Sequence, residues 1–357
     1  MRNRYVDYLR GTAILLVLAL HFLILPPSLP GVLAVAVVAS NGYYGVSIFF
    51  VISGYLITSR ILAHFGSLQR VSFKEFYAMR AGRIVPCLLA ILAILLILND
   101  VGPRSFHDPH VWKMAWYALT FRFNIYRNHF STSVLAWDVL WSLSIEEVFY
   151  IVFPLVCRTV CNQKAMVLVL MAMVAYGPLY RHQHRNGDGL YAYLGCSDLI
   201  AMGCVTAIVA AVWPPSSGRV RKILAMGGAA VLAGSLIWLP IYAHLIAGPT
   251  VVGLGAAAYL YAFHGRGGAA APERLWAGGL RPLAACGRLS YEIYLFHGVI
   301  ALCLLDFYNP GAHPVAASLR CTALFCILTF GISGLVAKFY SEPAGRFLRR
   351  ILAGNPR

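Results

Sequence analysis

His21 closes an apolar run, Ala13-Ile-Leu-Leu-Val-Leu-Ala-Leu-His21, and Arg10 stands eleven residues before it. An ionisable side chain inside an apolar span is costly, so it marks a functional site by default. On a helix rising about 1.5 Å per residue the two are roughly 16 Å apart along the axis. That spacing puts Arg10 near one membrane face and His21 beyond the middle, toward the other. Paired carboxylates follow in Trp141-Ser-Leu-Ser-Ile-Glu-Glu-Val-Phe-Tyr150, where Glu146 and Glu147 sit about two turns inward from the outer end of an apolar run. A second histidine, His297, closes Leu289-Ser-Tyr-Glu-Ile-Tyr-Leu-Phe-His297, with Glu292 nearer the cytoplasm. A histidine and a carboxylate sharing a buried cavity form an acid–base pair, the carboxylate orienting the imidazole and stabilising its protonated form. The plain alternative is that each group is hydrogen-bonded to a neighbouring helix.

A second set of residues points to phosphate. Ser72-Phe-Lys-Glu75 reads as a capping box that starts a helix. That helix carries Arg80-Ala-Gly-Arg83, then Ile-Val-Pro86. The i, i+3 spacing sets both guanidiniums on one face at the membrane surface, and paired arginines suit phosphate recognition. The alternative is an ordinary basic anchor. Asp7 and Arg10 are also three apart, which partly neutralises Arg10. The small and hydroxyl residues of 45–54 are spaced for close helix packing. Arg181-His-Gln-His-Arg185 lacks carboxylate support and reads as a solvated loop.

These groups must be positioned by membrane helices. The chain has 357 residues, 60% of them hydrophobic and only 12% charged, with mean hydropathy +0.71. Repeated apolar runs of about twenty residues predict a polytopic membrane protein. Backbone groups in lipid must be satisfied internally, so the spans are helices. The expected fold is an all-α integral membrane bundle of about ten helices, near 8–27, 42–61, 84–101, 139–157, 165–180, 190–212, 223–243, 245–264, 286–306 and 317–340. Residues 111–126 are apolar but short and interrupted. If they are re-entrant or interfacial and the N-terminus is cytoplasmic, 22 of the 29 basic residues fall inside. If they span, that bias vanishes, so both termini are expected in the cytoplasm.

The net charge of +16 sits in short loops between spans, which argues for topology and lipid contact rather than nucleic acid. The nine cysteines show no ligand spacing, so no metal is expected. The first apolar stretch is expected to stay as a helix rather than be cleaved as a signal peptide. The expected organisation is one membrane domain over 1–350, a short basic tail over 351–357, and no soluble domain. The stretch 265–271 reads as a flexible cytoplasmic loop.

Taken in order, the motifs resemble those of the membrane-bound acyltransferase-3 family, bacterial O-acyltransferases of surface glycans and other exported metabolites. The resemblance rests on Asp7-Tyr-Leu-Arg-Gly with His21 at the Arg-x10-His spacing, and on Gly45-Val-Ser-Ile-Phe-Phe-Val-Ile-Ser-Gly54. It continues through Phe76-Tyr-Ala-Met-Arg-Ala-Gly-Arg83, the Trp141–Tyr150 motif, the Leu289–His297 motif and Glu342-Pro. It implies transfer of an acyl group, usually acetyl, from cytoplasmic acyl-CoA (acetyl-CoA) to a hydroxyl of a carbohydrate or lipid-linked glycan, in a multi-pass protein of the bacterial inner membrane. By resemblance, Arg10 and His21 are the essential pair and Arg80 with Arg83 forms the Arg-x-x-Arg element, where the CoA phosphates of the donor are expected to dock. Glu146 and Glu147 are taken as their catalytic partners, and His297, Asp7, Trp141, Ser142 and Tyr291 as secondary or substrate-contact residues. His21 acts either as general base or as acyl-carrying nucleophile. A transporter using His and Glu as a proton relay, and a non-catalytic scaffold, are the competing readings.

Overall fold

Ser72, Asn162 and Ser217 each start a helix by accepting the backbone N–H three residues on, from Glu75, Ala165 and Val220 at 3.4, 2.9 and 3.1 Å. The computed structural model describes residues 3–22, 32–130, 134–160, 162–185, 187–215, 217–265, 279–308 and 314–353. Among these residues the chain is helical, without strands. The first half holds α1 (Arg4–Phe22), α2 (Val32–Ser40), α3 (Tyr43–Phe65), α4 (Phe73–Val101), α5 (Val111–Leu119), α6 (Phe123–Phe130), α7 (Leu135–Asp138) and α8 (Leu140–Thr159). The second holds α9 (Gln163–Gln183), α10 (Ser197–Val212), α11 (Gly218–Trp238), α12 (Ala247–Ala262), α13 (Arg281–Arg288), α14 (Ser290–Asp306), α15 (Pro314–Val336) and α16 (Glu342–Ala353).

Eight helices among the described residues are long and apolar enough to cross a membrane, and nine if α13 and α14, bent by 79°, count as one span. The run expected at 245–264 forms only the 16-residue α12. The protein is a multi-pass helical membrane protein. Residues 111–126 do not form a span. They form α5 and part of α6, two short helices separated where Phe121 takes a left-handed conformation, φ 54°. Nine residues rise about 13 Å, less than half of a hydrocarbon core of about 30 Å. Val111, Met114, Ala115 and Ala118 are buried on one face of α5, while Trp112 and Trp116 are exposed on the other.

The chain divides into two compact units. The first comprises Met1–Leu20, Val35–Val71 and Val156–Arg288. In it α3 packs on α10, α10 on α9 and α12, and α11 on α12. Small residues make the α3–α10 crossing close, as expected for 45–54. A Cβ on Gly54 would run into the Ile200 carbonyl, and one on Gly203 into that of Val51.

This unit corrects one expectation. Arg181 does not belong to a solvated loop: it is 2% exposed, and only its neighbours from His182 to Arg185 face solvent. Its guanidinium pairs in bidentate fashion with the Asp198 carboxylate at 2.9 and 2.8 Å. It also donates to the carbonyls of Gly195 and Ile246 and to Thr250 Oγ1 at 2.6 Å. Asp198 is fully buried on α10, and Gly177 of α9 leaves it room, since a Cβ there would meet its carboxylate at 2.6 Å. A buried charge must be paired and hydrogen-bonded, and the partner lies 17 residues away, beyond the reach of a local pattern.

The second unit comprises His21–Ala34, Ser72–Leu155 and Leu289–Arg357. Here α4 begins at Phe73, eleven residues before the expected span. The surface helix and the span are one helix, interrupted by no breaker before Pro86. Two basic residues of this unit are locally compensated. Arg127 meets Asp138 at 2.5 Å, and the Lys113 ammonium lies 3.6 Å from the centroid of Phe130. Gly298 of α14 packs against Ala136 of α7, where a Cβ would meet the Ala136 Cα at 2.9 Å. Past α15 the helix widens into a π-turn, Ala337–Ser341, and continues as α16. The basic end expected as a tail is therefore helical as far as Ala353. The stretch expected as a loop at 265–271 lies, from 266 on, outside the described residues, as does the end of the first expected span.

Candidate active site

His21 is the penultimate residue of α1, and Phe22 beside it stacks on Phe325 of α15 with ring centroids 4.1 Å apart. His297 is the eighth residue of α14 and is fully buried. Its Nε2 lies 3.0 Å from His21 Nδ1. Its Nδ1 faces the carbonyls of Tyr294 and Ile293 at 2.8 and 3.2 Å.

This chain of contacts fixes the tautomers. A carbonyl only accepts, so His297 Nδ1 carries the hydrogen and donates it. A neutral imidazole has one N–H, which leaves a lone pair on His297 Nε2. Two cationic rings at 3.0 Å in a buried setting would repel each other, so the pair carries at most one charge. His21 Nδ1 then donates to His297 Nε2, and in its neutral form His21 carries its lone pair on Nε2. At Nδ1 of His21 a second imidazole is the partner.

The carboxylates have partners of their own. Glu146 Oε2 accepts from Tyr150 OH at 3.1 Å. The Arg80 guanidinium lies over the Tyr150 ring, 4.5 Å from its centroid, and interacts with both Glu146 and Glu147. The charge of Arg83 also acts on Glu147. Glu147 is buried, and its Oε1 has no hydrogen-bond partner among the described residues. An unmet buried acceptor of this kind costs about 1–3 kcal/mol or more, so the position is suited to an incoming O–H or N–H donor.

Around these groups Ser142 Oγ and Tyr294 OH are 2.6 Å apart, and Trp141 is buried beside Ser142 in sequence. Tyr291 OH donates to the Ile84 carbonyl at 3.0 Å, and Glu292 Oε1 accepts from Ser341 Oγ at 2.9 Å. The second unit thus contains His21, His297, Glu146, Glu147, Arg80, Arg83, Trp141, Ser142 and Tyr291. Asp7 and Arg10 lie on the part of α1 that belongs to the first unit, where Asp7 is buried and Gly287 packs against its carbonyl. Tyr150 and Tyr294 were not singled out from sequence. Tyr150 is four residues from Glu146, a spacing that brings helix side chains together. Tyr294 offers no comparable signal, because its partner Ser142 is on another helix. Among the described residues no group of three or more His, Cys, Asp or Glu side chains is arranged to hold a metal.

A family profile described as an acyltransferase domain matches residues 3–338. The chain belongs to the acyltransferase-3 family. All the candidate residues of this acyltransferase-3 chain fall inside the matched segment, whereas α16 lies beyond it. The chain is 27% identical over 331 residues to O-acetyltransferase OatA of Staphylococcus aureus (strain NCTC 8325 / PS 47), across 81% of its own length and 53% of the relative's. It is 30% identical over 214 residues to a putative O-acetyltransferase, SACOL0978, of Staphylococcus aureus (strain COL), across 53% of its own length and 35% of the relative's. It therefore spans about half the length of the first of these relatives and about a third of the second. No solved structure matches it.

Proposed function

We propose that the chain is a membrane O-acyltransferase that moves an acyl group, acetyl by analogy with its relatives, from cytoplasmic acyl-CoA to a hydroxyl of a cell-surface or exported carbohydrate. O-antigen, exopolysaccharide and lipo-oligosaccharide are the acceptor classes in view. The observation that carries this reading is the His297–His21 pair at 3.0 Å, which gives His21 a basic nitrogen of defined position. The names of the relatives support the reaction class. The basic loops support an inner-membrane setting, with both termini cytoplasmic where α12 and the bent α13–α14 pair each cross in addition to the eight long helices.

In the proposed step His21 Nε2 takes the proton of the acceptor hydroxyl as its oxygen attacks the thioester carbonyl. The C–S bond breaks, and the CoA thiolate leaves with that proton, so no net proton is released. During the step His21 is cationic, and its Nδ1–H remains donated to His297 Nε2, which steadies the charge. Glu147 Oε1 accepts a second hydroxyl of the sugar. Arg80 and Arg83 hold the donor's phosphates, and Arg10 adds positive charge farther along the helix of His21.

The direct test is purified protein in nanodiscs with acetyl-CoA and surface glycans, followed by mass spectrometry. A gain of one acyl group that depends on the donor is expected. Movement of a solute across vesicles without thioester cleavage would replace this reading with the transporter. Arg80→Gln with Arg83→Gln is expected to raise the donor KM about tenfold or more with a smaller effect on kcat; an unchanged KM removes the phosphate role. His297→Phe, which deprives Nδ1–H of its acceptor, is expected to lower kcat about 10- to 100-fold at constant donor KM. His297→Gln, whose Oε1 accepts the same N–H, should recover most of the loss. Equal kcat in His297→Phe and wild type would show that His297 does not position His21.

A further inference from the structure

The C-terminal helix meets α4 at the arginine pair. A Cβ on Gly82, between Arg80 and Arg83, would meet Arg349 Cγ at 2.5 Å and the Gly345 carbonyl oxygen at 2.7 Å. A Cβ on Gly345 would in turn run into the Gly82 carbonyl. The two helices therefore cross with no side chain between their backbones, and the aliphatic stem of Arg349 lies on Gly82. Pro86 helps set this contact, because it has no N–H for the carbonyl four residues back, which is that of Gly82. The crossing is anchored just ahead of α16. Tyr340 OH donates to the Pro86 carbonyl at 3.1 Å, and Ser341 Oγ, at the end of the π-turn, donates to Glu292 at 2.9 Å. A π-turn placed here suits a segment that re-aims a helix toward a site.

The charges on α16 are not equivalent. Arg346 is exposed and lies 3.7 Å from the exposed carboxylate of Glu342, and Arg350 is also exposed. Gly345 and Arg349, four residues apart, share the face turned to α4, and Arg349 is half-buried there. Among the described residues no carboxylate lies within salt-bridge distance of Arg349. On α4, by contrast, Arg80 is already engaged by Tyr150, Glu146 and Glu147, and Arg83 shares Glu147. An acyl-CoA donor brings a diphosphate and a separate ribose phosphate, the latter alone carrying about −1.5 to −2 charges at pH 7. Two arginines that share two carboxylates do not balance that load.

We propose that Arg349 is the third cation of the donor site and binds the terminal ribose phosphate of the CoA thioester. The proposal rests on the reading that Arg80 and Arg83 hold the donor. A lipid headgroup offers the same phosphate chemistry, so the experiment separates the two sources. Binding of CoA and of 3′-dephospho-CoA to the full-length protein is measured in nanodiscs of zwitterionic lipid, with and without added anionic lipid. Wild type is expected to prefer CoA over the dephospho form. Arg349→Gln is expected to weaken CoA about ten- to a hundredfold and to leave dephospho-CoA unchanged, erasing the preference. Arg349→Lys should keep part of it. Gly82→Ala, which must push α16 away, should reduce it as well. A preference retained in Arg349→Gln, or an effect seen only with anionic lipid, would overturn the proposal in favour of a headgroup contact. If Arg80→Gln with Arg83→Gln leaves CoA binding intact, the donor-site reading itself fails, whichever way Arg349 behaves.

Discussion

His21→Ala is expected to lower turnover by about 10²- to 10⁴-fold while the affinity for CoA stays within a factor of about two. The range is that of a positioned general base, and it corresponds to about 3–5 kcal/mol of transition-state stabilisation. The asymmetry between turnover and binding is the informative part. A group acting only on the reacting hydroxyl contributes nothing to ground-state binding of the donor, so kcat falls and KM holds. Loss of CoA binding in the same variant would instead show that the imidazole is structural. Turnover retained within about threefold would remove His21 from the mechanism. The variant also separates the base from the nucleophile: rapid quenching of wild type with donor alone should yield no acylated protein if His21 acts as base. An acyl-imidazole on His21 would make it the carrier.

Asp198→Ala is expected to be the most damaging single change to stability. It would strand the Arg181 guanidinium, 2% exposed, without the carboxylate that meets it at two atoms. Breaking a buried pair by removing one partner costs about 3–5 kcal/mol, because the remaining charge stays desolvated. The expected readout is a large fall in the midpoint of thermal unfolding in detergent. Replacing both partners, with Arg181→Met and Asp198→Leu, should restore much of that loss, since a pair exchanged for apolar groups of similar volume is often close to neutral. The carbonyls of Gly195 and Ile246 and the hydroxyl of Thr250 would lose a donor, which limits the recovery. A melting midpoint unchanged in Asp198→Ala would show that the pair is not a stabilising centre.

The same residues show what could be read from sequence. Arg80 and Arg83 lie on one helix with a serine cap, so their shared face and the helix start were legible in local spacing. That 111–126 is interrupted was legible as well, and two short helices meet within it. Arg181 was misread because its carboxylate comes from α10, and nothing in Arg181-His-Gln-His-Arg185 announces it. The acid–base group was anticipated by residue type; the contact between its two imidazoles, 276 residues apart in the chain, was not.

The sequence by itself determined that this chain is a bundle of membrane helices, that His21, Glu146, Glu147 and His297 lie on them, and the order of the motifs that place it in its family. It could do so because lipid forces each span to satisfy its own backbone, so that length, apolarity and the 3.6-residue period suffice. The tertiary structure alone decided which polar groups touch. His21 and His297 are 276 residues apart, and Arg349 reaches Gly82 through a crossing that only two glycines permit. Such contacts depend on which helix lies beside which and at what angle. Those are properties of side-chain packing between distant segments, which no local period encodes.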